Sequence, residues 1–234
     1  MSDDLCQMSA IALLAAYADG SLSPVEVTQA VLEQINRHND TFNAFCLVDE
    51  EGALAAAKQS EDRWQKGEPQ GRIDGVPASV KDLVLAKDWP TGRGSRTSDP
   101  SQLSPEDAPA VQRLREHGAI ILGKTTTPEY GWKGVTDSPL TGITRNPWNK
   151  DHTPGGSSGG AAVAALTGMG PLHIGTDGGG SVRIPASFSS IFGFKANFGR
   201  VPVYPASPFG TLSHLGPMTR SVADGALMLT VMAG

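Results

Sequence analysis

Charge, aromatic rings and cysteine are all scarce in this 234-residue chain, and each shortage closes off a class of function. Charged residues make up 18% and aromatics 6%, and there are only two cysteines. The 19 basic side chains are outnumbered by 24 acidic ones, giving a formal net charge of −5, and they form no basic stripe. A nucleic acid is therefore not expected as a direct partner, because phosphate binding needs clustered Lys and Arg. No apolar run approaches the roughly 20 residues of a membrane helix, so no membrane contact is expected either. The chain opens Met1-Ser2-Asp3-Asp4, with acids where a secretory signal carries bases, which predicts a cytoplasmic protein. In that compartment Cys6 and Cys46 read as two reduced thiols. His38, His117, His152, His173 and His214 show no close pairing with one another or with cysteine, which argues against zinc.

What is abundant is glycine. Gly and Pro together make about 19% of the chain, against a norm of about 12%. The hydrophobic share, 39%, is that of an ordinary globular protein, so the surplus does not signal disorder. Ten of the 28 glycines lie between Gly155 and Gly180. One specialised backbone segment accounts for the excess, and function is to be sought there.

The first 67 residues read as a helical segment of the same domain as the rest. Ala10 to Ala18 is rich in Ala and Leu and ends at a turn, Asp19-Gly20. Ser23-Pro24-Val25-Glu26 forms a capping box with proline at the first helical position, predicting a helix to about Arg37. Ala44 to Val48 reads as a strand and Glu50 to Lys66 as a helix. From residue 68 onward, short apolar runs (Pro77 to Leu85, Ala119 to Leu122, Leu172 to Ile174) alternate with helical patterns (Ala108 to His117, Gly159 to Leu166, Val222 to Met232). That alternation predicts an α/β fold, a sheet with helices packed on it. The last residues, Val231 to Gly234, end an apolar helix where such a domain would continue, so the chain is expected to lack the C-terminal part of its fold.

Gly118-Ala-Ile-Ile-Leu-Gly123-Lys124-Thr125 matches the phosphate-loop pattern letter for letter. Its four middle residues have the composition of a buried strand, and the residues before Gly118 are helical where a strand is required. The match is read as helix, turn and strand, with no phosphate site.

The glycine-rich segment has two halves, Gly155-Gly-Ser157-Ser158-Gly-Gly160 and Gly175-Thr176-Asp177-Gly178-Gly179-Gly180-Ser181-Val182-Arg183-Ile184-Pro185. A serine directly after a glycine run, near a helix start, sits among convergent amide donors, as a nucleophile beside an oxyanion hole must. No histidine lies nearby to serve as base. On the residues alone, an anion-binding loop competes with catalysis. Tyr130 and Trp132, in Pro128-Glu-Tyr-Gly-Trp-Lys133, fit a substrate pocket or core packing equally well.

These motifs resemble the amidase signature family of serine amidohydrolases. The likeness covers both glycine segments and extends to Gly193-Phe-Lys195, Gly199-Arg-Val201 and Gly216-Pro-Met-Thr-Arg-Ser-Val-Ala-Asp224, with Gly75-Val-Pro-Ala-Ser-Val-Lys81-Asp82 upstream. The resemblance implies a mixed β-sheet core flanked by helices on both faces. It implies a triad of Ser181 as nucleophile, Ser157 as bridge with a cis peptide bond to Gly156, and Lys81 as base. It places the oxyanion hole on the amides of Gly178, Gly179, Gly180 and Ser181, with Ser158, Thr176, Asp177 and Arg183 holding the loops. It implies cleavage of a small carboxylic amide to an acid and ammonia or an amine, with neither metal nor organic cofactor. An ordinary lysine has a pKa near 10.4, so Lys81 would need burial to act as a base near neutrality.

Two alternatives stay open. One is the glutaminase subunit of a tRNA-dependent amidotransferase, releasing ammonia from glutamine; members of that subgroup tend to carry Gln where Ile184 follows Arg183 here. The other is a non-catalytic, truncated member of the family. Neither the substrate nor homo-oligomerisation is readable from the motifs.

Overall fold

Ser23 opens the longest helix by the reciprocal bonding its sequence predicts. Its hydroxyl accepts from the Glu26 amide at 3.2 Å, and the Glu26 carboxylate accepts from the Ser23 amide at 2.9 Å. The structure, a computed structural model, describes residues 2–234. Short helices α1 (Ser2–Gln7) and α2 (Ala10–Ala18) precede this long one, α3 (Pro24–Phe42). α3 runs past Arg37 because its stop lies further on. Asn43 caps it in the left-handed conformation, and Asn39 Oδ1 accepts from the amides of Ala44 and Phe45 as the chain turns away. Strand β1 (Phe45–Val48) and helix α4 (Glu50–Gln65) follow.

The remaining elements alternate. They are β2 (Pro77–Lys81), α5 (Pro109–Glu116), β3 (Ile120–Thr125), the small hairpin β4 (Asp137–Ser138) and β5 (Gly142–Ile143), α6 (Gly159–Leu166), β6 (Leu172–Asp177), α7 (Arg183–Ser189), β7 (Phe192–Gly193), β8 (His214–Thr219) and α8 (Val222–Ala233). Six strands form one mixed sheet in the order β1-β3-β2-β6-β8-β7. β2 is parallel to both β3 and β6, whereas β1 pairs antiparallel with β3, and β8 with β6 and β7.

Side-chain alternation divides the core between the two faces of this sheet. Ala78, Val80, Ile121, Leu172 and Ile174 pack with Val111 and Leu114 of α5 and Met228 and Met232 of α8. Ile120 and Leu122 point the other way, into a cluster with Val27, Val31 and Ile35 of α3, Ala57 of α4 and Val163 of α6. Helices thus flank both faces, as the resemblance implies. Cys6 is buried and Cys46 exposed, and no disulfide joins them. Among the described residues, no helix is long and apolar enough to cross a membrane.

Several elements escaped the sequence reading, the β4–β5 hairpin among them. α7 is short and carries Pro185 in its first turn, and β7 has only two residues. β8 contains Gly216-Pro217, a pair that reads as a turn. Proline is tolerated because β7 is too short to need its missing N–H. On that side Pro217 only accepts, from the Phe194 amide at 3.2 Å.

Arg220, just after β8, ties the N-terminus to the sheet. Its guanidinium donates to the carbonyls of Ala165 (2.7 Å), Cys6 (3.1 Å) and Met8 (2.9 Å), and more weakly to that of Gly170 (3.4 Å). Nearby, the buried Asp224 accepts from the Ile11 amide at 3.2 Å. Arg220→Ala strands several carbonyls without their donor and is expected to lower stability by about 3 kcal/mol, read from urea unfolding midpoints.

Candidate active site

β2 and β6 are parallel neighbours, so their carboxyl ends open on the same edge of the sheet, where ligands of such sheets gather. Lys81 is the last residue of β2 and Asp177 the last of β6. Strand alternation turns Ser79 and Lys81 away from Ala78 and Val80, towards the face covered by α6. The loop before α6 carries Ser157 and Ser158, and the loop after β6 carries the glycine run and Ser181. Three segments remote in sequence therefore converge on one amine.

Lys81 is fully buried. Its Nζ lies 2.6 Å from Ser157 Oγ, 2.9 Å from Ser158 Oγ and 2.9 Å from Thr176 Oγ1. Burial drives its pKa well below the ordinary 10.5, and the negative charge of Asp177 offsets this only in part. A neutral amine has two N–H donors and one lone pair. Ser158 can turn its proton to the Thr176 carbonyl at 3.2 Å, which leaves its oxygen free to accept from Lys81. With Thr176 Oγ1 taking the second N–H, the lone pair faces the hydroxyl of Ser157, the shortest of the three contacts. The arrangement can draw a proton from Ser157.

Ser181 sits at the rim of this cluster, half-buried. Its carbonyl accepts from the Ser158 amide at 3.1 Å, which fixes the two loops to each other. Among the described residues its own hydroxyl makes no hydrogen bond, so it is unengaged. Asp177 organises the loop between. It accepts from the amides of Gly180 (2.7 Å), Val182 (3.2 Å) and Arg183 (3.4 Å) and pairs with the Arg183 guanidinium through two contacts of 3.0 Å. Burial alone would raise its pKa, but the bonds from Arg183, Val182 and Gly180 outweigh it and hold the carboxyl below the ordinary range. The Gly180 amide, expected in the oxyanion hole, is instead bonded to Asp177. Gly178, Gly179 and Ser181 retain unengaged amides among the described residues.

The serine loop is shaped by a wall that sequence reasoning did not identify. The Gly156–Ser157 peptide bond is cis. A β-carbon on Gly156 would fall 2.4 Å from the Val135 carbonyl oxygen, so only glycine fits. Thr136, buried beside it, donates to the Gly155 carbonyl at 2.8 Å and accepts from the Gly159 amide at 3.1 Å. One hydroxyl thus clasps both ends of the loop. Val135 and Thr136 carried no motif of their own, and their nearness to residues 155–159 is purely tertiary.

Lys124, the lysine of the dismissed phosphate-loop pattern, lies within β3 and is fully buried. One extra residue on β3 shifts the β2–β3 register between Ala78 and Val80, bringing Lys124 opposite Val80. Its Nζ donates to the Val84 carbonyl (2.8 Å), Thr91 Oγ1 (3.2 Å) and Asp82 Oδ1 (3.4 Å). Asp82 therefore pairs with Lys124 and leaves its neighbour Lys81 to the serines. Among the described residues no cluster of His, Cys, Asp and Glu could hold a metal ion.

Fold and site together define an α/β domain with a buried lysine and two serines gathered at the edge of its sheet, and comparison with known proteins identifies the family. The family profile described as Amidase matches residues 26–234, and the chain belongs to this family, the amidase signature enzymes, which are hydrolases acting on amides. It is similar to an acylamidase of Rhodococcus erythropolis (40% identity over 228 residues, covering 97% of this chain and 48% of that protein). It is also similar to the A-type subunit of the glutamyl-tRNA(Gln) amidotransferase of Chloroflexus aurantiacus (39% identity, 99% of this chain and 47% of that protein). A solved amidase structure superposes with a TM-score of 0.90 at 37% identity, over 97% of this chain and 52% of the other. The chain spans about half the length of the curated relatives it matches.

Burying Lys81 has a thermodynamic signature independent of any reaction. Between its depressed folded pKa and the ordinary 10.5, Lys81 is neutral in the native state and protonated in the unfolded one. The unfolded chain then binds the extra proton, so stability rises with pH across that window. Urea midpoints measured at pH 7 and pH 9.5 are expected to rise more steeply for the parent than for Lys81→Met, with Lys124 contributing equally to both.

Proposed function

We propose that the protein is an amidohydrolase that cleaves a linear C–N bond of a small carboxylic amide, other than a peptide bond, through a seryl acyl-enzyme. The observation that carries this reading is the buried Lys81 amine 2.6 Å from Ser157 Oγ, with Ser157 and Ser158 joined to Ser181 through the Ser158 amide. Neutral Lys81 accepts the proton of Ser157 as Ser157 accepts that of Ser181. Ser181 Oγ attacks the carbonyl carbon, and the amides of Gly178, Gly179 and Ser181 receive the negative charge that develops on oxygen. The tetrahedral species collapses by breaking the C–N bond, and the relay returns its proton to the departing ammonia or amine. Water then repeats the attack on the acyl-enzyme, releasing the acid and restoring Ser181. Every step uses protein groups and water, so the proposed reaction calls for no cofactor. The partner is the small-molecule substrate itself.

Asp177 and Arg183 take no proton in this scheme. Their ion pair holds the loop that presents Ser181, and Thr176 and Ser158 keep the Lys81 lone pair aimed at Ser157.

A second reading is favoured by the 39% identity to the amidotransferase component. In it the same serine chemistry releases ammonia from glutamine for a partner complex. Glutaminase activity that appears only on adding partner subunits and charged tRNA would select it over the general amidase.

A fluorophosphonate probe is expected to label Ser181, and retained labelling in Ser181→Ala would sink the assignment. Lys81→Ala is expected to slow labelling at pH 7 on the order of 10³-fold, in the range of lost general-base catalysis. The defect should narrow at high pH, where hydroxide competes with the missing base.

A further inference from the structure

Ser157, the hydroxyl closest to Lys81, has a backbone neighbour that the reaction scheme does not use. A β-carbon on Gly131 would lie 3.3 Å from Ser157 Oγ and 2.6 Å from Leu83 Cδ1, so the bare Gly131 backbone fits between the two. Gly131 holds this place in the left-handed region, at φ 68°. The residue before it does the same without being glycine: Tyr130 has φ 51° and ψ 17°. That conformation is costly for a bulky side chain and persists only where its surroundings over-determine it.

The restraint comes from a second loop, residues 91–97. The Tyr130 amide donates to the Arg93 carbonyl at 2.8 Å. The Tyr130 hydroxyl lies 2.7 Å from Thr97 Oγ1, Thr97 Oγ1 lies 2.8 Å from Ser95 Oγ, and Ser95 donates to Glu129 Oε1 at 2.7 Å. One placement of protons satisfies all three contacts: Tyr130 donates to Thr97, Thr97 to Ser95, and Ser95 to the carboxylate, a chain in which each bond strengthens the next. Loop 91–97 is itself fastened beside Lys81. The Gly92 amide donates to Asp82 Oδ1 and the Arg93 amide to the Asp82 carbonyl, both at 3.1 Å. Lys124 reaches the same carboxylate oxygen and Thr91. Tyr130 is 49% exposed, so its ring is no part of the core, and its hydroxyl is engaged with the loop.

We propose that Tyr130 is a positioning residue: its bond to Thr97 braces the backbone that seats Gly131 against Ser157, and so keeps the Ser157 hydroxyl on the Lys81 amine. The role rests on the seryl amidase reading for its chemistry, and on the contacts alone for the brace. Tyr130 takes no proton. Loosening Gly131 lets Ser157 Oγ turn away from Lys81, which slows the proton relay without changing how the substrate is bound.

The test compares Tyr130→Phe and Thr97→Val, each of which removes one surface hydroxyl of the chain, by fluorophosphonate labelling over a range of probe concentrations. Each is expected to lower the limiting rate of Ser181 labelling about fivefold, with the half-saturating probe concentration and the final labelled fraction unchanged. The double variant should be no slower than Tyr130→Phe alone, because both substitutions cut one contact. An unchanged limiting rate in Tyr130→Phe, additive losses in the double variant, or a loss confined to half-saturation would overturn the brace. So would a lower final fraction labelled at the parent's rate, the mark of a merely structural role. Amide hydrogen exchange at residues 130 and 131, expected to quicken about fivefold in both variants, separates the brace from the chemistry. A parent labelled at Ser181 whose variants label and exchange as it does loses the brace alone. A parent that is never labelled, with exchange quickened in both variants, loses the seryl reading and keeps the brace.

Discussion

The amine of Lys81 is sealed from water at the end of a central strand, and the surrounding loops answer the demand this makes. An ammonium there would have lost its hydration without gaining a carboxylate in contact, so burial favours the neutral form. Three hydroxyls, on Ser157, Ser158 and Thr176, replace the water. Ser157 and Ser158 can approach only because Gly156 packs without a side chain against the Val135 carbonyl. Thr176 is in place because β6 lies parallel to β2 and ends at the same edge. The sheet order, the serine loop and the glycine loop are three parts of one solution to a buried base.

The other buried charges are kept from interfering. Asp177 is the acid whose charge acts on Lys81, but that charge is spread over Arg183 and three amides. Asp82, adjacent to Lys81 in sequence, is turned to Lys124 on the opposite side of the strand. Two lysines thus sit fully buried in neighbouring strands with different surroundings. Lys124 has a carboxylate, a carbonyl and a hydroxyl, a structural setting. Lys81 has hydroxyls alone, the setting the proposed base requires.

Much of the helical framework was legible in the residues because its signals are local. The Ser23 capping box, the proline after it and the Asp19-Gly20 turn act through neighbours in sequence, and the structure places α2 and the start of α3 where they indicate. The phosphate-loop match could be set aside for the same reason, since Ala-Ile-Ile-Leu is strand composition whatever follows it. β8 was not legible. Gly216-Pro217 has the local character of a turn and becomes strand only because β6 on one side and a two-residue β7 on the other allow it. The Gly180 amide was equally hidden: the glycine run advertises unshielded donors, but which donor Asp177 claims depends on the fold of the loop.

The residue types a base, a bridge and a nucleophile require, the glycines around them and the family they resemble were all determined by the sequence alone, because motif spacing and local propensity are properties of the chain. What only the tertiary structure decided is which atoms meet: Lys81 with residues 76 and 95 positions further on, Thr136 with the two ends of the serine loop, and Tyr130 with Thr97. Those encounters depend on strand order and on how the loops at the strand ends pack. Burial is also what alters the chemistry, for the same lysine left in water would remain an ordinary cation.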